Sequence, residues 1–305
     1  MSIRELVVLG TSSQVPTRYR AHNGLWLTWD GDGLLVDPGE GTQRQMLLAG
    51  LRASSIRHIC VTHFHGDHCL GLAGVTQRIS LDRVPHEVPV HFPASGQVYF
   101  ERLRHASIFD DHARLSPRPI RESGTFVGPS YTLEARRLDH GVDAFGYRVV
   151  EPDGWTMVPE RLAARGVRGP AVGRLLREGA VVADGGEVRI EEVAIHRKGQ
   201  VVAFVMDTRL CDAAFELAAG ADLLVCESTY LATEAVEARD HGHLTADQAG
   251  RIAAEAGARS LVLTHFSQRY PLDAPFEHEA RRRFDGPVVA ARDLMRVPVP
   301  PRRTA

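Results

Sequence analysis

Between Thr62 and His68 the chain reads Thr-His-Phe-His-Gly-Asp-His, which places three imidazoles and a carboxylate within six residues. They come directly after the apolar run from Ile56 to Val61. Imidazole is the commonest protein ligand for a metal, and here it recurs at i, i+2 and i+5 with Asp67 between. That spacing can aim His63 and His65 at one ion while Asp67 and His68 turn toward a second. A histidine-rich surface loop is the alternative, because the chain holds 15 His in 305 residues. Four potential ligands at the end of a strand favour the metal.

Other apolar runs also end in a polar residue: His140 after Leu133 to Leu138, Asp207 after Val201 to Met206, and His265 after Leu261 to Leu263. Five imidazoles and two carboxylates suit two zinc-like ions sharing one carboxylate. His63, His65 and His140 make one set; Asp67, His68 and His265 make the other, with Asp207 between them. Zinc and manganese both suit these donors. Two ions about 4 Å apart can hold a hydroxide and a phosphoryl or carbonyl oxygen together, with bound water titrating near ~7.

The elements that must position these donors alternate between strand and helix. Strands are expected at Leu6 to Leu9, Leu25 to Trp29, Leu34 to Val36, Val88 to Phe92, Gly146 to Val150, Leu223 to Cys226 and Pro287 to Ala290, with the hairpin signal Asp30-Gly31-Asp32-Gly33 joining the second and third. Helices are expected near Thr42 to Ala49, Leu70 to Ile79, Gly96 to His105, Asp212 to Ala219 and Pro275 to Phe284, and after Thr245 as an N-cap. Asp37, at a strand end before Pro38-Gly39, reads as a turn residue or cap that is also well placed for a site. Thr62-His63-Phe64 and Thr264-His265-Phe266 echo each other after apolar strands, suggesting two similar layers with ligands along one sheet edge.

Residues 151 to about 190 break the alternation. Arg161, Arg165, Arg168, Arg174 and Arg177 occur there without an intervening acid, and Gly166, Gly169, Pro170 and Gly173 argue against one long helix. The segment reads either as a solvated surface excursion or as a clamp for a nucleic-acid backbone.

Composition sets outer bounds. With 44% apolar residues the chain can build a large core, and its net charge of −2 implies no global attraction to nucleic acid. Lys198 is the sole lysine, a skew that coding bias toward Arg explains. Cys60, Cys69, Cys211 and Cys226 are scattered without a CxxC pair, as suits a reducing cytoplasm. No signal peptide and no apolar membrane span is evident.

The His63-x-His65-x-Asp67-His68 pattern resembles the metallo-β-lactamase superfamily. The chain is further similar to its ribonuclease Z family, in the short bacterial form. Gly10-Thr11 with Pro16 to Arg20 resembles that family's substrate-contacting proline loop, and Asp37-Pro38-Gly39-Glu40-Gly41 its D-x-G-E turn. His140 to Tyr147 is similar to the third metal motif, and Gly169-Pro170 to Gly179, including Gly173, to the glycine-rich hand of a flexible arm. Glu227-Ser228-Thr229 and His243-Leu244-Thr245 stand where H-E-A-T and H-S-T signatures fall; Ala21, Cys226, Ser228 and Leu244 depart from the pattern.

The resemblance implies a mixed α/β, four-layer αββα sandwich, a single domain over 1–305 with an arm inserted at 151–190. It implies a zinc-dependent endoribonuclease that removes 3′ trailers from precursor tRNA and leaves a 3′ hydroxyl. Asp67 would accept the proton of the attacking water, and His243, paired with Glu227, would protonate the departing oxygen. Arg18, Arg20, Gly169, Pro170 and Gly173 would contact substrate. A homodimer with two Zn2+ (or Mn2+) per chain is expected, with no membrane association. A small-molecule phosphodiesterase, or another hydrolase of the superfamily, is the competing activity; an RNA-binding protein with a relic site is the non-enzymatic one. The remaining histidines, His22 and His241 among them, read as surface or packing residues.

Overall fold

A computed structural model describes residues 3–128 and 130–302. Its strands run β1 (Arg4–Gly10), β2 (Gly24–Trp29), β3 (Asp32–Val36), β4 (Ile56–Cys60), β5 (Val88–Pro93) and β6 (Leu115–Ile120). Then follow β7 (Gly124–Val127), β8 (Thr132–Leu138), β9 (Ala144–Val150), β10 (Gly154–Met157), β11 (Ala180–Ala183), β12 (Gly186–Arg189) and β13 (Ala194–Arg197). β14 (Val201–Val205), β15 (Leu223–Glu227), β16 (Leu261–Thr264), β17 (Val288–Ala290) and β18 (Arg296–Pro298) complete the set.

The chain divides into two compact units. Among the described residues the smaller comprises Val150–Gln200 with 128, 130–132 and 301–302, and the larger comprises the others. The larger unit holds two seven-stranded sheets, in the orders β18-β1-β2-β3-β4-β5-β6 and β17-β16-β15-β14-β9-β8-β7. Side chains alternate across each strand. Val7, Leu9, Ile59 and Val61 therefore pack against Met46, Leu72, Val75, Ile79 and Phe100 of the helices Thr42–Leu48, Leu72–Leu81 and Gln97–Arg104. In the second sheet Val205, Leu224 and Leu263 meet Leu217, Ile252 and Phe276 of the helices Asp212–Ala218, Ala246–Glu255 and Ala274–Arg281. Each buried side chain of this size contributes roughly 1.5–3 kcal/mol. The opposite faces are buried as well: Leu6 and Val8 are fully covered, and the Tyr147 hydroxyl of β9 donates to the Val61 carbonyl beyond β4 at 2.9 Å, tying sheet to sheet. This is the αββα sandwich.

Within the two seven-stranded sheets, three strands were not expected: β6, β7 and β18. All are sheet edges. β6 carries Pro117 and Pro119, which only an edge tolerates, and β7 and β18 bury no residue fully. The echoing Thr-His-Phe segments also fall differently from expectation, since they end strands of two different sheets rather than lining one edge. What gathers their side chains is register. In the parallel pairs Val36 faces Cys60, Val205 faces Cys226 and Glu227 faces Thr264, so the residues that follow emerge at one level.

The smaller unit has its own core of Val167, Leu175, Val181, Val188, Ile190 and Val193, under the pairs β10–β13 and β11–β12. It is a packed body and extends past residue 190. Its two longer helices, Pro159–Ala164 and Pro170–Glu178, are separated at Gly166 and Gly169, both at positive φ, with Pro170 at the first helical position. Gly173 does not interrupt: it lies inside the second helix. Arg161, Arg165, Arg168, Arg174 and Arg177 are all exposed, and only Arg165 among them has an ion-pair partner among the described residues, Glu192 at 2.9 Å.

Candidate metal centre

Beyond β4 the chain is extended at His65, then turns into the one-turn helix Gly66–Cys69. This change of backbone splits the cluster. His63 and His65 meet each other, Nε2 to Nδ1 at 2.9 Å, while Asp67 and His68 are carried toward His265. His68 Nε2 lies 3.0 Å from His265 Nε2 and 3.4 Å from Asp67 Oδ2, and His265 Nε2 lies 3.3 Å from the same carboxylate oxygen. From beyond β8, His140 Nε2 comes within 3.3 Å of His65 Nδ1. Asp207, beyond β14, stands between the sets: Oδ2 is 3.6 Å from His63, 3.9 Å from His140 and 3.3 Å from His68, and Oδ1 is 3.3 Å from His265.

These distances have a chemical meaning. Donors around a tetrahedral ion with bonds of roughly 2.0–2.1 Å stand about 3.4 Å apart. Imidazole nitrogens this close in pairs would otherwise need a shared proton at each contact. Asp207 Oδ1 is moreover buried without a hydrogen-bond partner, an arrangement that a cation would satisfy. His63, His65, His140 and Asp207 form one group able to hold an ion, and Asp67, His68 and His265 another. The residues present fit a metal.

Outer partners fix the rings. The His68 Nδ1 contact is Asp37 Oδ2 at 2.7 Å, and Asp37 in turn accepts from the Thr62 amide at 2.7 Å and hydroxyl at 2.8 Å. His140 Nδ1 is 2.8 Å from the Gly242 carbonyl, and His265 Nδ1 is 2.9 Å from the Thr229 hydroxyl. Such contacts select tautomer and orientation. Asp37 and His265 both sit at positive φ (49° and 63°), a costly backbone held here by these bonds and the surrounding packing. Gly39 belongs to the same support, since a Cβ there would collide with the Asp67 carbonyl.

The electrostatics are those of a cation site. Although burial opposes it, His68 and His265 hold the Asp67 carboxyl well below the usual carboxylate range. Burial and the neighbouring imidazoles push His63 well down, keeping it neutral and ligand-ready. Beside the sets, His243 Nδ1 meets Glu227 Oε1 at 3.1 Å. Burial disfavours the imidazolium, but Glu227 and Asp207 outweigh it and raise His243 to about 9. Glu227 is fully buried and accepts from the Thr208 amide (3.0 Å), the Thr229 amide (3.1 Å) and the Thr229 hydroxyl (2.7 Å). Thr245 caps the helix after His243, accepting from the Gln248 amide at 3.3 Å.

A cleft of about 670 Å3 opens on Asp67, His65, His140, Asp207 and His243. Sequence reasoning missed several of its walls: the Gln14 amide, which donates to Asp67 Oδ2 at 2.7 Å, and Tyr230 with Arg269 stacked 4.9 Å above its ring. His22 and His241, expected as ordinary residues, line it too. Arg269, four residues past His265, was the findable one. Arg18 and Arg20 do not line the cleft. Arg20 is instead ion-paired with Asp273, donates to the Tyr270 carbonyl at 2.9 Å and stacks on Phe266, so it anchors its loop where a substrate contact was expected. Gly169, Pro170 and Gly173 belong to the smaller unit. Cys69 is a packing residue of the first core, and Cys226 and Leu244 pack in the second.

The chain matches the sequence profile of the metallo-beta-lactamase superfamily over residues 20–174, and a beta-lactamase superfamily domain over 188–266. It is 60% identical over 304 residues to a Ribonuclease Z of Streptomyces avermitilis, covering 99% of this chain and 100% of that one. The chain belongs to the ribonuclease Z family. A Ribonuclease Z of Streptomyces coelicolor is 59% identical, again over 99% of this chain and 100% of the relative. Among solved structures, the short form of human tRNase Z superposes with a TM-score of 0.71 at 24% identity, covering 97% of this chain and 99% of that one, which speaks for the shared fold.

Proposed function

We propose that the chain is a metal-dependent endoribonuclease that cuts precursor tRNA at its 3′ side and leaves a 3′ hydroxyl on the tRNA. The observation that carries it is Asp207, placed between two donor sets in a cleft that is also lined by His243, itself paired with the buried Glu227. Full-length identity to proteins named Ribonuclease Z supports the substrate. His63, His65 and His140 would hold one zinc ion, Asp67, His68 and His265 a second, with Asp207 shared. When bound, such ions acidify water and polarise a phosphoryl oxygen.

The chain's own residues do the rest. Asp67, oriented by the Gln14 amide, takes the proton of the attacking water as the new phosphorus–oxygen bond forms. His243, with Nδ1–H donated to Glu227, keeps Nε2 for the proton that passes to the 3′ oxygen as its bond to phosphorus breaks. Attack by water places the phosphate on the trailer and the hydroxyl on the tRNA. The exposed arginines of the smaller unit would grip the tRNA backbone. The exposed Leu47, Leu48 and Leu81 support a homodimer, and the four free cysteines support a cytoplasmic setting.

The test is a defined precursor with a 3′ trailer, incubated with zinc-loaded protein, with product ends mapped. Cleavage leaving a 3′ hydroxyl, lost in Asp67→Ala, is expected. An intact precursor overturns the reading. The competing activity, small phosphodiester hydrolysis, is separated by reversing Arg161, Arg168, Arg174 and Arg177 to Glu: an RNA enzyme loses far more of its precursor cleavage than of its chromogenic diester hydrolysis.

A further inference from the structure

His65 has two open sides. One faces the cleft; the other borders a second cavity of about 430 Å3, lined by Phe64, His65, Ser95, Gly96, Tyr99, Val142 and Asp143. Its size lies within the roughly 300–1,000 Å3 of small-molecule sites. Three of its walls are apolar yet open to solvent: Phe64 is half-buried, Tyr99 is 49% exposed and Val142 is 43% exposed. Phe64 and Tyr99 stand with ring centroids 5.8 Å apart and planes inclined by 35°, and Arg102 lies 5.9 Å from the Tyr99 ring. The ring of Phe64 is held from beneath, because it packs edge-on to Phe92 and occupies the space that a side chain at Gly96 would need. Across the cavity, Asp143 is ion-paired with Arg137, which offsets its charge.

Direction decides what this cavity takes. His243 is the proton donor to the tRNA 3′ oxygen under the reading above. The order of rings from there is His243, then His140 at 5.3 Å, then His65 at 5.1 Å, with Phe64 next in the chain. The leaving tRNA end therefore lies at His243, and the side of the scissile phosphate that stays attached to the trailer lies toward His65. We infer that the Phe64–Tyr99 cavity is a nucleobase subsite that stacks the first trailer nucleotide. The inference rests on the proposed endonuclease activity and deepens it. Aromatic faces bind any base, which suits an enzyme whose trailers differ in sequence, and the cation over Tyr99 adds attraction for the adjacent phosphate.

The test crosses protein and substrate. Two precursors differ only at the first trailer position, one normal and one abasic, and wild-type protein, Tyr99→Ala and Tyr99→Phe are compared by kcat/KM. Stacking of one base predicts a loss of roughly 5- to 100-fold for Tyr99→Ala on the normal precursor. The abasic site should cost wild-type protein a similar factor, the two changes together should cost no more than either alone, and Tyr99→Phe should restore the normal rate. Losses that multiply, or no loss at all from the abasic site, overturn the subsite while leaving the endonuclease standing. A wild-type protein that cuts neither precursor fails at the earlier level, the proposed activity itself.

Discussion

The tripeptide Thr-His-Phe occurs twice, and its two copies behave differently. At Thr62-His63-Phe64 the threonine hydroxyl binds Asp37 and lies 3.1 Å from His63 Nδ1, so the histidine is braced by its own neighbour. At Thr264-His265-Phe266 the threonine hydroxyl is buried without a partner, His265 adopts positive φ, and its brace is Thr229 from another strand end. Phe64 borders an open cavity, whereas Phe266 is fully buried against Phe276 at 4.5 Å and under Arg20. Identical residues after similar strands thus yield one locally supported ligand and one supported from a distance. The local sequence supplies a donor; the neighbouring strand decides how firmly it is held.

The largest effect should come from the residue that joins the two copies. Asp207→Ala is expected to lower both metal content and precursor cleavage, the latter about 10^4-fold or more, as stabilisation of several kcal/mol is lost at each donor set. Full metal retained at either set would show the copies to be independent.

Next is the asymmetry of proton donation, since the acid His243 stands near His265, with ring centroids 5.5 Å apart. His243→Ala should cost roughly 10^2- to 10^4-fold in kcat. His243 is raised to about 9, so the acid form persists through neutral pH and is lost as pH rises past that value. Wild-type kcat should accordingly fall on the alkaline side, Glu227→Gln should move that fall to lower pH, and His243→Ala should abolish it. A profile unchanged by Glu227→Gln would remove Glu227 from this role.

Smaller effects probe the braces. Thr62→Val removes a contact to Asp37 as well as to His63, and Thr229→Val removes contacts to His265 and Glu227. Each should weaken metal affinity by roughly 10- to 100-fold, measured by competition with a chelator. Thr62→Val should affect both donor sets, because Asp37 also positions His68. Smallest is Thr264→Val, which replaces an unpaired buried hydroxyl by a methyl group and should stabilise the protein by about 1 kcal/mol in denaturant unfolding. Destabilisation there would reveal a hidden partner and erase the contrast with Thr62.

The ease of reading these features from sequence followed burial. Central strands such as β14, β15 and β16 are apolar runs that end in or lead into a polar residue, so both the strands and the site residues beyond them stood out. Edge strands had no such pattern: Pro117 and Pro119 in β6 and the polar Arg296 in β18 read as loop. The ligand types were visible because few other uses explain so many strand-end histidines. The cleft walls were not, because Gln14 contributes only its amide and Arg269 joins Tyr230 from 39 positions away. The ion pair of Arg20 with Asp273 was equally hidden, because its partner lies 253 positions further along the chain.

One consequence concerns the order of synthesis. β18, at Arg296–Pro298, closes the first sheet by pairing antiparallel with β1, Glu5 facing Pro298 and Val7 facing Arg296. β1 is made long before β18 and therefore waits for that strand before its outer hydrogen-bonding edge is covered. During that interval the nascent chain presents an open strand, Glu-Leu-Val-Val-Leu, of the kind that recruits other chains. The C-terminal strand acts as a clasp for a newborn protein, and a chain truncated before it would carry every ligand and still be left with a sticky edge.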